Sequence, residues 1–329
     1  MSSPDRFPLV CLPTPTHPLP RVSSDLGLDV WIKRDDLTGL AMGGNKGRKV
    51  EYLIADALAR GATTVVTCGS AQSNYIRQLG AACAVAGLRC AAAVMTLPFE
   101  GTIGQPSGPR ASQGGNVLLN ELLGVEVHRR EDGPWEELFF AAESLADRLR
   151  SAGEIVYETP IGGSSVLGAF AFVRAADELR GLPHFDAVVI PTSSGSTHAG
   201  LAYALHGGPT QVIGVACDPE PDLADDLARL VGDLDAFTGL GRDIAADYLD
   251  VRFDYVGPGY GVPSEAGRRA LTYLARREGI LLDPIYSAKA FSGLLDMAER
   301  GMLRGRVLFW HTGGAPSLFA YDAEALVGR

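Results

Sequence analysis

Two kinds of segment alternate along almost the whole chain. Short apolar and β-branched runs that read as strands occur at 30–35 (VWIKRD), 63–69 (TTVVTCG), 90–96 (CAAAVMT), 125–130 (VEVHRR), 154–160 (EIVYETP), 186–192 (DAVVIPT), 211–218 (QVIGVACD) and 306–314 (RVLFWHTGG). Between them, helical spacing of apolar residues covers 72–86, 135–150, 165–180, 198–206, 222–232, 263–277 and 287–299. This alternation predicts an α/β fold of open, twisted parallel sheets covered by helices. Several strands run directly into loops of Gly, Ser, Thr and Asn, and the carboxyl edge of such a sheet is where ligands bind. The segment 96–116 (TLPFEGTIGQPSGPRASQGGN) carries neither pattern and is expected to be a mobile surface loop.

A length of 329 residues with 46% hydrophobic content suffices for one large or two medium domains. The formal net charge of -10 supplies no basic face for a phosphate backbone, which argues against a nucleic-acid partner. No run approaches the ~20 apolar residues of a membrane span, and the N-terminus has no basic-then-apolar signal pattern. The five cysteines are odd in number and contain no C-x-x-C, so they read as reduced intracellular thiols with neither a disulfide framework nor a metal site. A cytoplasmic protein without a membrane or metal partner is expected.

The stretch AMGGNKGRKVEYL (41–53) places two lysines three residues apart after a double glycine. At about 100° per residue, Val50, Leu53, Ile54 and Ala57 form one apolar stripe. Lys46 falls inside that stripe, Lys49 on its flank near Asp56, and Arg48 and Glu51 point away. Lys46 is thus aimed at packing, at a helix N-terminus whose dipole disfavours an ammonium, and both effects lower a lysine pKa as Schiff-base chemistry requires. A solvated lysine at a frayed helix start fits the same pattern. A P-loop does not, because Gly39 and Gly44 are followed by Asn45, Lys46 and Gly47 where G-K-[ST] is needed. Gly43 and Gly44 read as room for a ligand, Asn45 as a turn or cap residue beside it, and Lys49 as a flanking charge.

The run VVIPTSSGSTHAGL (188–201) is an apolar strand, then Ser194, Gly195, Ser196 and Thr197, then a helix from about His198. Small and hydroxyl residues let backbone amides converge on an anion at the helix start. An ordinary Ser/Thr N-cap with a glycine turn is the alternative, but a run this dense in Ser, Thr and Gly after an apolar strand favours the anion site. A Schiff-base lysine together with a cup for one phosphate points to pyridoxal 5'-phosphate, which would act as an electron sink. His198 reads as a helix-start residue, not a base.

Three further loops have the same strand–loop–helix character. TCGSAQSNYIRQLG (67–80) sets Gln72, Ser73 and Asn74 at a helix start, suited to a carboxylate or a ring oxygen. GPGYGVPSEAG (257–267) carries Tyr260, and LDPIYSAKAFSGL (282–294) carries Tyr286 and Ser287. FWHTGGAP (309–316) ends the last strand at Thr312. Each alone could be structural.

Taken together, these segments resemble the fold-type II pyridoxal-phosphate enzymes (the tryptophan synthase β-like fold), in the family of 1-aminocyclopropane-1-carboxylate (ACC) deaminase and D-cysteine desulfhydrase. The resemblance runs nearly end to end, from LPTPTHPLPRVSSDLGLDVWIKRDDLTGLAMGGNKGRKVEYL through SAQSN, PIGGSSVLGAFAF, SSGSTHAGL, GPGYGVP and DPIYSAKA to HTGG. It implies that Lys46 carries the cofactor, that Asn74 meets its ring hydroxyl, and that Gly195, Ser196 and Thr197, with Ser194 and Asn45 beside them, hold its phosphate. It implies catalytic roles for Ser73, Tyr260 and Tyr286, and substrate contacts from Gln72, Ser73, Asn74 and Tyr286. It also implies a larger cofactor domain (1–49 plus 166–329), a smaller inserted α/β domain (50–165), a cofactor in the cleft, and a homodimer. Members acting on ACC carry Glu after the second tyrosine, facing the pyridine nitrogen, and Leu before the double glycine. Here these positions are Ser287 and Thr312, a pattern similar to D-cysteine β-elimination. An L-cysteate sulfo-lyase, an ACC deaminase and a non-catalytic amino-acid-binding protein are the alternatives.

Overall fold

A computed structural model describes residues 4–109 and 111–327. Within these residues the strands are β1 (Thr16–Pro18), β2 (Asp29–Arg34), β3 (Thr64–Ser70), β4 (Arg89–Met95), β5 (Glu126–Arg129), β6 (Val156–Glu158), β7 (Ala187–Thr192), β8 (Gln211–Ala216), β9 (Asp250–Arg252) and β10 (Arg306–His311). They form a six-stranded sheet of order β1-β2-β10-β7-β8-β9 and a four-stranded sheet of order β5-β4-β3-β6. Every pairing is parallel except β1 on β2. The register sets Leu308 opposite Trp31 and Val188, and Cys68 opposite Ala93. Two of the interior strands, β3 and β7, are buried at every residue, which is why they read as unbroken apolar runs.

All eight predicted strands form, with ends shifted by up to three residues. The structure adds β1 and β9, edge strands of three residues each. Pro18 ends the first, and neither is long enough to show an alternation.

The helices are α1 (Pro20–Leu26), α2 (Lys46–Ala59), α3 (Asn74–Ala86), α4 (Gly115–Leu122), α5 (Trp135–Ser151), α6 (Val166–Ala176), α7 (Ser196–Leu205), α8 (Leu223–Thr238), α9 (Glu265–Glu278), α10 (Ser287–Glu299) and α11 (Ala323–Val327). On the large sheet, α6, α7 and α8 bury one face around Phe172, Leu201 and Leu227. The other face packs on α1, α9 and α10 around Val22, Leu274 and Phe291. On the small sheet, α2 and α3 cover one face through Leu53, Ile54 and Leu79, and α5 covers the other through Leu138 and Leu145. No helix among the described residues is long and apolar enough to cross a membrane.

Two expectations fail here. The loop 96–116 does not stand free: a Cβ on Gly108 would lie 2.4 Å from Val262, and one on Gly259 would lie 2.8 Å from Pro106. The loop therefore packs onto the glycine loop that carries Tyr260. Its Arg110 lies outside the described residues, and its last residues already begin α4.

The second failure concerns α2, which is not amphipathic in place. Arg48 is 3% exposed and Glu51 1% exposed, although both point off the apolar stripe. Glu51 Oε1 accepts the amides of Leu9 (2.6 Å) and Val10 (3.0 Å) from the N-terminal segment. Arg48 donates to Asp35 (2.7 and 2.9 Å) and to Glu178 (2.6 Å) in the turn after α6. Asp35 also accepts from Thr14 (2.8 Å) and from the Trp310 indole (2.8 Å). Burial works against the Arg48 charge, but Asp35 and Glu178 more than offset it and hold the guanidinium above its ordinary pKa. Removing one partner strands the other in a dry site. Arg48→Met is therefore expected to lower unfolding free energy by about 3–5 kcal/mol, read as a shifted urea midpoint at constant slope.

Candidate active site

The carboxyl ends of β3, β7, β8 and β10 open onto one cavity of about 660 Å³. One end is built by α2. Lys46 is its first residue, and its Nζ donates to the Gly162 carbonyl at 3.3 Å. Lys49, one turn on, donates to the same carbonyl at 3.3 Å and to Ser196 Oγ at 2.7 Å. Burial lowers the Lys46 pKa to about 8 and takes Lys49 well below the ordinary lysine value, with the Lys46 charge as a further cause for Lys49. Two ammoniums sharing one carbonyl in a dry site repel each other, and an anion at this end would relieve both. The expectation that Lys49 is only a flanking charge is thus corrected: it is 1% exposed and bonded to the Ser/Thr loop. Its contact crosses 147 residues of sequence, so helical periodicity could not reveal it.

Gly162 must be glycine. Its φ is +63°, and a Cβ there would stand 2.4 Å from Ser194 Oγ and 3.2 Å from Lys46 Nζ. Gly43 and Gly44 have a different purpose from the one expected. A Cβ on Gly43 would lie 2.0 Å from the Asp36 carbonyl, and one on Gly44 2.6 Å from Gln78 Nε2. They permit close packing of the chain, and neither lines the cavity.

The anion cup lies at the start of α7. Gly195 takes φ +85° to turn the chain into the helix. At the start of α7 the Ser196 amide is taken by Ser164 Oγ and the Ser194 carbonyl, which leaves the amides of Thr197 and His198 as the helix-start donors without intrahelical partners. Asn45 makes no cap bond; its Nδ2 donates to Thr197 Oγ1 at 3.0 Å, tying the lysine segment to the cup. Ser164, which sequence reasoning passed over, braces the loop: its Oγ donates to the Ser194 carbonyl and accepts the Ser196 amide at 3.2 Å. The only sequence signal for Ser164 was its place after Gly162–Gly163 and before a helix. Thr192 Oγ1 is buried at the cavity wall with no partner, an orphan that a bound oxyanion would satisfy.

Across the cavity, Ser73 caps α3 by accepting the Ile76 amide (3.3 Å). Asn74 Oδ1 accepts from Arg77 (2.9 Å) and Asn116 (2.9 Å). With its oxygen pinned by two donors, the Asn74 carboxamide has its NH2 left to donate to a ligand in the cavity that the residue lines. Gln72 does not reach the cavity: its Nε2 donates to the Ala111 carbonyl (3.0 Å) and its Oε1 accepts the Asn116 amide (2.9 Å). Its expected substrate contact is replaced by a bracing one, because the segment 111–116 folds back over it.

Tyr260 and Tyr286 meet edge to face, with ring centroids 6.0 Å apart and hydroxyls at 2.5 Å. Tyr260 OH also meets Ser70 Oγ at 3.1 Å. Burial raises Tyr260 to about 12 and Tyr286 further, so both hydroxyls are neutral donors. Thr312 lines the cavity, and its carbonyl accepts the Asn45 amide (2.9 Å). Ser287 does not line it: its Oγ donates to Asp283 Oδ1 (2.6 Å) and accepts the Asp283 amide (2.7 Å), completing a cap on α10. The expected contact from Ser287 to a cofactor ring is therefore absent, and its hydroxyl is spent on a buried aspartate that sequence reasoning overlooked.

The dry lysine pair, the orphaned Thr192 hydroxyl, the amide cup and the pinned Asn74 together fit a phosphorylated pyridine aldehyde. The family model described as "Pyridoxal-phosphate dependent enzyme" matches residues 9–313. The chain belongs to that family. It is 41% identical over 327 residues to the D-cysteine desulfhydrase of Klebsiella pneumoniae (strain 342), covering 96% of this chain and 97% of that one. A crystal structure of an ACC deaminase homologue superposes with a TM-score of 0.89 at 34% identity, over 98% of this chain and 95% of the other. Threonine deaminase isoform 2 from Solanum lycopersicum, at a TM-score of 0.61 and 17% identity over 93% of this chain and 80% of its own, shares the fold alone. In this family member Lys46, Asn74, Ser194, Gly195, Thr197 and both tyrosines line one cavity, whereas Ser196, Gln72 and Ser287 stand behind its wall.

His198 also lies in the first turn of α7. It is fully buried, and its ring nitrogens lack hydrogen-bonding geometry even to the facing Val212 backbone. Burial lowers its pKa from 6.5 to about 4. The unfolded chain therefore binds the proton first as pH falls, so this contribution is whole above pH 6.5 and is lost between there and about pH 4. The full effect is on the order of 3 kcal/mol. His198→Leu is expected to flatten the fall in unfolding free energy between pH 6.5 and 4 relative to the wild type, measured by urea titration at each pH.

Proposed function

We propose that this pyridoxal-phosphate enzyme catalyses β-elimination on D-cysteine, yielding pyruvate, sulfide and ammonia. The observation that carries this reading is the strong likeness to a D-cysteine desulfhydrase over nearly the full length of both chains. The cavity is consistent with it. No carboxylate follows Tyr286 in the chain, where a strong electron sink for ring opening would call for one; Ser287 stands there and serves Asp283. An anionic sulfonate is disfavoured, because Glu100, Asp218 and Glu220 line the same cavity.

When bound, pyridoxal phosphate supplies the electron sink for negative charge at the substrate Cα. In this reading Lys46 would hold the aldehyde carbon, Asn74 the ring hydroxyl, and Asn45, Ser194, Gly195, Ser196, Thr197 and Lys49 the phosphate end. The depressed pKa of Lys46 lets its amine be neutral near pH 8, ready to take the Cα proton. The Ser73 amide is held by the Ser70 carbonyl (3.0 Å), so the start of α3 would offer the substrate carboxylate the next amides, those of Asn74 and Tyr75. The Tyr260–Tyr286 pair, neutral and hydrogen-bonded, would orient the β-substituent and lend it a proton as it leaves. Thr312 closes the cofactor side of the cavity.

The wider assignment is of the same standing. Residues 50–165, which carry the four-stranded sheet, would form the smaller domain, and 1–49 plus 166–329 the larger. Exposed Leu118 and Leu122 on α4, together with Phe319, offer an apolar face for a second copy, as a cytoplasmic homodimer would need. Light scattering that returned a monomer mass at working concentration would remove the dimer.

Purified enzyme is expected to release pyruvate and sulfide in equal amounts from D-cysteine, and no 2-oxobutyrate from ACC. Turnover of ACC alone would overturn the reading. Lys46→Ala is expected to lose the visible absorbance of the bound cofactor and at least a thousandfold in rate. Lys49→Ala is expected to keep the lysine linkage but lose cofactor on dialysis, with a dissociation constant raised about tenfold or more. Its absorbance after dialysis checks this.

A further inference from the structure

Part of the cavity wall is acidic. Asp218 sits two residues past the end of β8, is 4% exposed, and its Oδ1 has no hydrogen-bond partner. Glu220 and Glu100 line the same side. Burial raises Asp218 to about 7 and Glu220 to about 8; the carboxylates add to each other, Glu100 on Asp218 and Asp218 on Glu220. Lys289 acts on Asp218 through space, but the hydrogen bonds of the neighbouring cations go elsewhere. Lys289 Nζ donates to the carbonyls of Gly259 (2.7 Å) and Cys217 (3.2 Å), and Arg229 to Asp226 (2.6 Å). An unpaired buried carboxylate is costly, and a cation placed beside it removes that cost.

We propose that the cavity recognises amino acids whose departing β-substituent carries an ammonium, held by Asp218 and Glu220. This rests on the β-elimination reading and narrows its substrate class. Asp218 lies in the electrostatic reach of Tyr260, the residue expected to orient that substituent. Take 2,3-diaminopropionate as the shortest such substrate. Lys46 removes the Cα proton, and the electron pair of that bond forms the Cα–Cβ double bond. The Cβ–N bond breaks with its pair going to nitrogen, which leaves as ammonia. Water then hydrolyses the enamine to pyruvate and a second ammonia. No oxidant or reductant is needed. For a longer substituent, such as an aminoethylthio group, the same steps release 2-aminoethanethiol and one ammonia.

The test uses a matched pair that differs in charge and hardly in shape: S-(2-aminoethyl)-D-cysteine and S-propyl-D-cysteine, with D-2,3-diaminopropionate and D-cysteine alongside. Titrating each into the holoenzyme and following the absorbance of the bound cofactor gives a dissociation constant whether or not the compound turns over; pyruvate release gives kcat/KM. The aminoethyl compound is expected to bind about tenfold or more tightly than the propyl one. In Asp218→Asn that ratio falls towards one, and Glu220→Gln lowers it as well if the first variant does not fold. A wild-type ratio near one, or a ratio unchanged in both variants, would overturn the proposal. Failure of D-cysteine to yield sulfide while the aminoethyl preference persists would instead remove the D-cysteine assignment and leave this site standing.

Discussion

The buried contact between Arg48 and Asp35 is the constraint on which the rest of the site depends. Asp35 closes strand β2, Arg48 lies in the first turn of α2, and Glu178 joins them from the end of α6. Lys33 reaches the same Glu178 at 2.6 Å, and the Trp310 indole of β10 donates to Asp35. A sheet strand, its neighbour and two helices are thus locked through charged groups from which water is excluded. The direction in which α2 enters the fold follows from this lock, and so does the position of the two lysines. A buried ion pair adds little net stability compared with apolar packing, but its geometry is demanding. Here it sets an angle and a register that apolar contacts alone would leave loose.

The lysines then meet the anion cup from the far side of the chain. One carbonyl, that of Gly162, receives both Nζ atoms. The two charges cannot both be retained comfortably in a dry site, so the amine with the nearest anion keeps its proton and the other gives it up. Phosphate at Ser196 would favour charge on Lys49, whose Nζ is already 2.7 Å from that hydroxyl. Lys46 would then be the neutral amine. The division of labour between two lysines three residues apart comes from which one faces the anion. Asp218 and Glu220 line the same cavity, their carboxyl pKa values raised by burial and by neighbouring carboxylates.

Much of this was legible in the chain. Parallel strands buried on both faces must be continuous apolar runs, and helices covering them must show one apolar stripe, so the alternation was readable. Lys46, Asn74, the Ser194–Thr197 loop and the two tyrosines lay at strand ends, where the carboxyl edge of a parallel sheet makes a ligand site. Gln72 and Ser287 were misread because residue type and helix-start position do not say which way a side chain turns. Gln72 was claimed by the 111–116 segment and Ser287 by Asp283 four residues earlier. Arg48 and Glu51 looked solvent-facing because a helical wheel assumes water behind the helix, whereas an N-terminal segment and the end of α6 occupy that space.

By itself the sequence determined the α/β class and the family, and it singled out Lys46 and the Ser194–Thr197 loop as the candidate cofactor site, because these depend on local periodicity, on residue chemistry at strand ends and on motif order. Only the tertiary structure decided the role of Lys49, the purpose of Gly43 and Gly44, and the acidic wall around Asp218. Those features arise from contacts between separate segments, from Gly44 against Gln78 to Lys49 against Ser196, 147 residues apart. Desolvation and charge proximity are properties of the folded volume, and no stretch of sequence carries them alone.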